Sequence, residues 1–159
     1  MRMSSFPLVL LGLLALDGCK KAETPAPPPQ ITLTREGGYW EWISHDSNSR
    51  FGYQTPATTG FERQLRFKSD SMVYAYQNNQ LVSQAPYRLS HGRVPRCGSQ
   101  EVYALVHYVT NPVTEPKIWN NDLRIYSIAQ TGTEAILTIR GESECVDGGA
   151  KERYRWQAD

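Results

Sequence analysis

The chain has 159 residues, with Lys plus Arg at 17, Asp plus Glu at 16, hydrophobic residues at 40% and charged ones at 21%. That length carries one domain once a leader and a linker are set aside, and so apolar a composition excludes a largely disordered chain. The near balance of charge removes the global field that non-specific binding to nucleic acid requires.

A single cation, Arg2, precedes an apolar run over residues 6–16. The run has the size of a signal-peptide core and falls short of the roughly 20 residues that a membrane-spanning helix needs. Leu16, Gly18 and Cys19 then resemble the lipobox of bacterial lipoproteins. The resemblance implies cleavage before Cys19, a diacylglyceryl thioether on its sulfur, and a palmitate-type N-acyl chain. Several acyl chains on one residue give an anchorage that a single chain cannot. The alternative is an ordinary secretory signal with an incidental cysteine. Lys20 follows in place of the Asp that marks inner-membrane retention in such proteins, so the expected address is the outer membrane of a cell envelope, facing the periplasm. Residues 20–30 include Pro25, Pro27, Pro28 and Pro29. Such a run favours an extended polyproline spacer of about 30 Å, at ~3.1 Å per residue. The expected division is a signal peptide at 1–18, lipidated Cys and tether at 19–33, and a folded domain at 34–159.

The domain opens on Gly37, Gly38, Tyr39, Trp40, Glu41, Trp42 and Ile43, where Tyr, Trp and Ile favour a pleated, half-buried strand. Strand signals then recur at 61–68, 72–77, 81–90, 102–109, 123–129, 135–140 and 152–157, with no amphipathic helical period among them. In the second, Phe61, Leu65 and Phe67 share one face with Arg63, the one charged residue on that apolar side. Asn78-Asn79 suits a two-residue hairpin because Asn tolerates positive φ. Pro86 marks an edge, bulge or register break. Eight strands with hairpin-like connections predict an all-β, antiparallel up-and-down barrel, whose closure removes exposed edges. A two-sheet β-sandwich is the competing architecture. The predicted core is Trp40, Trp42, Leu65, Phe67, Val73, Leu105, Ile125, Leu137, Ile139, Tyr154 and Trp156, and the first strand is expected to pair with the last.

Several features of this order resemble the lipocalin-like domains of small Bacteroidetes-type lipoproteins. They are Trp40-Glu41-Trp42, the Thr55–Gly60 loop, Leu65-x-Phe67-x-x-Asp70, the Asn79 hairpin leading to Tyr87-Arg88-Leu89, and Cys145-x-Asp147-Gly148. Gly38-Tyr39-Trp40 is similar to the Gly-x-Trp signature of lipocalins, in which a late Arg covers the Trp. The resemblance implies that Arg153 or Arg155 covers Trp40 or Trp42 where the barrel closes beside Trp156, a cation–π contact worth about 0.5–2 kcal/mol. An eight-stranded barrel has a lumen that is either filled by side chains or holds one small ligand.

With Cys19 lipidated, Cys97 and Cys145 remain as a pair in an oxidising compartment. Bridged, they stabilise by about 4 kcal/mol through chain entropy. Strict strand alternation sets them at opposite ends of the barrel, so the expected Cys97–Cys145 bond requires the long loop to reach round or a strand count that differs by one. Arg88, His91, Arg93 and Arg96 form a local basic patch, either a receiver for an anionic head group or a solvated loop. Glu142, Glu144 and Asp147 read as a solvated strand end in preference to a carboxylate pair or calcium site. His45, His91 and His107 stand singly, without the Cys-x-x-Cys or His-x-x-x-His companions of a metal site, and no catalytic constellation or cofactor motif emerges. Two functions remain: a membrane-tethered, non-enzymatic binding module for a small apolar or amphipathic ligand, and a structural or protein-interaction lipoprotein with a solid core.

Overall fold

The computed structural model describes residues 31–46, 52–94, 101–109, 123–141 and 150–159. These comprise strands β1 (Gly38–Asp46), β2 (Arg63–Phe67), β3 (Met72–Gln77), β4 (Gln80–Gly92), β5 (Tyr103–Tyr108), β6 (Leu123–Thr131), β7 (Glu134–Gly141) and β8 (Lys151–Ala158), with one short helix, α1 (Pro56–Thr59), between β1 and β2. The strands are antiparallel and close in sequence order, β8 returning to β1. The chain is thus an all-β barrel, and the sandwich alternative is set aside.

Local chemistry explains the turns. Asn78 and Asn79 take φ of 50° and 64°, the paired left-handed conformation that a tight hairpin between twisted strands demands. At the β2–β3 turn, Asp70 Oδ1 accepts the backbone N–H of Met72 at 3.0 Å, an Asx turn that frees Ser71 to adopt positive φ. The helix occupies the stretch read from sequence as a loop. Thr55 caps it by accepting the Thr58 N–H at 3.3 Å, Pro56 presets its first turn, and Gly60 ends it in the left-handed region.

Closure runs through β1 and β8. Trp40 lies opposite Trp156 and Trp42 opposite Tyr154, and Trp40 meets Trp156 edge to face at 5.2 Å. The expected arginine contact takes a different form. Arg153 and Arg155 alternate with Tyr154 and Trp156, so their side chains are exposed on the outer wall, where Arg155 reaches Glu134 at 3.2 Å. The cations over the tryptophans are Arg35, 5.6 Å from Trp156, and Arg63, 5.1 Å from Trp42. Gly38 opens the seam because a Cβ there would collide with the Gln157 carbonyl and come within 2.6 Å of the Trp156 ring. That close approach gives the Gly-x-Trp spacing a steric cause.

Two further corrections concern the core. Ile31 and Leu33, assigned to the tether from sequence, are buried in the main core. Leu33 accepts the Trp40 indole N–H at 3.1 Å, and the Ile31 backbone N–H donates to Gln130 Oε1 at 2.8 Å. The folded unit therefore includes residue 31, and this segment covers the barrel end where the β2–β3 and β6–β7 turns lie. Leu105 and Ile125 are buried, but in a separate cluster with Val94. Register places Val106 and Tyr108 in the lumen, so Leu105 faces the outer wall, and Ile125 beside it, where Val94 folds over both.

Candidate functional site

The opposite end of the barrel is where β1, β3, β5 and β7 end, and there polar side chains enter the lumen. Glu152 is in phase with Tyr154 and Trp156 on β8, so its carboxylate points inward. Its Oε2 accepts the Tyr154 hydroxyl at 2.8 Å, while Oε1 lies 3.4 Å from Arg63 NH1 and 3.6 Å from His45 Nδ1. A β-bulge brings His45 there: the register slips between Trp42 and Ser44, leaving Ile43 unpaired and setting His45 opposite Glu152.

Arg63 is fixed from two directions. Its guanidinium sits 5.1 Å from the Trp42 ring and 5.0 Å from Phe61, and those rings stack with centroids 5.7 Å apart. Arg124 on β6 shares the inward face with Val106 and Tyr126, and Tyr108 on β5 is buried in the same lumen.

These surroundings set the charge state. Burial is the largest influence on Glu152 and disfavours its anion. The His45 imidazole, the Tyr154 hydroxyl and the Arg63 charge together outweigh it and hold the carboxyl below its ordinary value. Tyr154 is pushed well above the usual phenol range, first by burial and then by the adjacent Glu152 charge. Tyr108 rises for the same two reasons, with Arg124 opposing. At neutral pH the cluster thus holds one carboxylate, two guanidinium cations and two neutral phenols. Its carboxylate accepts from Tyr154 and Arg63 and faces His45, which makes it a charge clamp and a weak base.

Beside the clamp lies a cavity of about 250 Å³, lined by the apolar Leu65, Ala75 and Val82 and the polar Arg63, Glu152 and Gln77 among others. Outside it, at the same end, an open depression of about 610 Å³ lies between α1 and the Asn78-Asn79 turn. Much of the remaining lumen is filled: Trp40, Trp42, Val73, Leu137 and Tyr154 are each at most 2% exposed.

The basic patch expected to receive a ligand lies elsewhere. Arg88 sits opposite His107 on the outer wall, and His91 and Arg93 are exposed near the covered end. These three do not converge on the cavity. Arg96, Cys19, Cys97, Cys145, Glu142, Glu144 and Asp147 lie outside the described residues. Among the described residues, no cluster of three or more His, Cys, Asp or Glu side chains has the arrangement of a metal site. Sequence reasoning passed over Arg63, Glu152 and Arg124 as site residues, although each carried a signal as a charge in phase with apolar neighbours on a strand. His45 carried none, since period-two alternation sets it opposite Trp42 until the bulge is known.

Fold and site together define a small closed antiparallel barrel, covered at one end and lined at the other by a charged clamp beside a cavity. No protein-family model matches the chain, and no curated protein or solved structure matches it at a significant level.

Proposed function

We propose that this protein is a lipoprotein of a bacterial cell envelope, anchored through Cys19 to the outer membrane, whose lipocalin-like barrel binds a small amphipathic ligand. The observation that carries the binding role is the cavity of about 250 Å³ lined both by Arg63 and Glu152 and by Leu65, Ala75 and Val82. Ligand pockets generally combine an apolar lining with a few convergent polar groups in this way, at volumes of about 300–1,000 Å³. The smaller volume narrows the ligand to a compact molecule or to the tip of a longer one. The polyproline stretch after Cys19 supports the anchor by providing a spacer between membrane and barrel.

Native mass spectrometry of the full-length protein, extracted gently from its own membrane, tests the binding role. A reproducible adduct, displaced when Ala75→Leu fills the cavity, is expected. Bare protein from several extractions, with the cavity closed to added small amphiphiles, refutes it. A second reading, a solid-core scaffold or protein-interaction lipoprotein, draws on the tightly filled remainder of the lumen and on the depression beside α1. It predicts that Ala75→Leu is silent while substitutions around residues 55–60 abolish capture of an envelope protein by the purified lipoprotein.

A further inference from the structure

We infer that the cavity selects a ligand with a carboxylate head and a short apolar tail, and that Arg63 is the residue that recognises the head. This rests on the binding role just proposed and adds the chemistry of the ligand. Arg63 is held by Trp42 and Phe61 on its faces and by Glu152 at one nitrogen. Among the described residues, that single contact engages one of the five N–H donors a guanidinium carries. The side chain is 34% exposed and lines the cavity. A planar fork of paired donors matches a carboxylate in two parallel hydrogen bonds, and its fixed position removes most of the ordering cost of binding.

The neighbouring charges favour the same sign of ligand. Glu152 already accepts from Tyr154 and Arg63 and faces His45, so an ammonium head would compete with these groups for its oxygens. Two further buried donors, Trp42 Nε1 and Ser83 Oγ, find no partner among the described residues. Trp42 packs against the Arg63 guanidinium, and Ser83 pairs with Ala75 of the cavity wall. Leu65, Ala75 and Val82 provide the surface for the tail.

The test uses full-length protein in dilute detergent at pH 7, titrated with hexanoate, hexylamine and hexanol, with Ala75→Leu protein as the blank for micelle partition. Hexanoate is expected to bind saturably and hexylamine to bind at least about tenfold more weakly. Arg63→Gln is expected to weaken hexanoate about tenfold or more, the loss of a charge-assisted contact. Arg63→Lys, which keeps the charge and loses the fork, falls between. Equal binding of hexanoate, hexylamine and hexanol overturns the carboxylate assignment while leaving the binding cavity standing. Failure of all three to bind overturns both. If Arg63→Gln does not fold, nuclear magnetic resonance shifts of the wild-type Arg63 Nε–H on hexanoate addition decide the point, and an unshifted signal refutes it.

Discussion

Replacing Glu152 by Ala removes the acceptor of the Tyr154 hydroxyl and the anionic partner of Arg63 in one step. Tyr154 is 2% exposed, so its hydroxyl cannot turn to bulk water. A hydrogen bond to a charged acceptor is worth about 1.5–3 kcal/mol. The Arg63–Glu152 pair, with side chains 34% and 28% exposed, adds only about 0–1 kcal/mol because solvent screens it. The expected loss at neutral pH is about 2–4 kcal/mol, a large part of the roughly 5–15 kcal/mol that holds a domain folded. Urea denaturation followed by tryptophan fluorescence measures it, with Glu152→Gln as the companion that keeps the shape and loses the charge. The pH dependence follows from the sign of the shift. The folded-state pKa of Glu152 is lowered, so its contribution is complete above the unfolded value, about 4.3, and is lost as pH falls through the folded value. The gap between wild type and Glu152→Gln must therefore be widest at pH 7 and close below about pH 4. A gap under about 0.5 kcal/mol at pH 7, or one unchanged at pH 3, refutes the clamp.

Three other expectations follow from the geometry. Leu33→Ala removes a buried side chain from the covered end and should cost about 2–4 kcal/mol in the same urea assay; a neutral effect would return residue 33 to the tether. Gly38→Ala drives a Cβ into the Gln157 carbonyl and the Trp156 ring, so the β1–β8 seam should give, with a loss of at least about 2 kcal/mol and altered near-ultraviolet circular dichroism; an unchanged spectrum and midpoint would contradict the seam. Cys19→Ala should abolish metabolic labelling by tritiated palmitate and release the protein from the membrane fraction, whereas persistent labelling excludes Cys19 as the lipidated residue.

Much of the architecture was legible in the residues. Period-two alternation in β2 and β8, the Asn78-Asn79 turn and the aromatic opening at Trp40 and Trp42 are local signals, and each strand read from them is present within a few residues of its expected bounds. The clamp was half legible. Arg63 and Glu152 announce themselves as charges on an apolar face, but no local rule states that residues 89 positions apart meet at 3.4 Å. Leu105 and Ile125 show the same limit. Alternation identified them as one face of a strand, and only the path of Val94 decided that this face was buried outside the lumen.

By itself, then, the sequence determined strands, turns, the likeness of residues 16–19 to a lipobox and the aromatic pair that begins the barrel, because these depend on periodicity and on backbone conformation within a few residues. Tertiary structure alone decided which cation covers which tryptophan, whether Leu33 belongs to tether or core, and how the Ile43 bulge turns His45 toward Glu152. Those outcomes depend on register and on one-residue slips, and each slip reverses the face of every side chain beyond it.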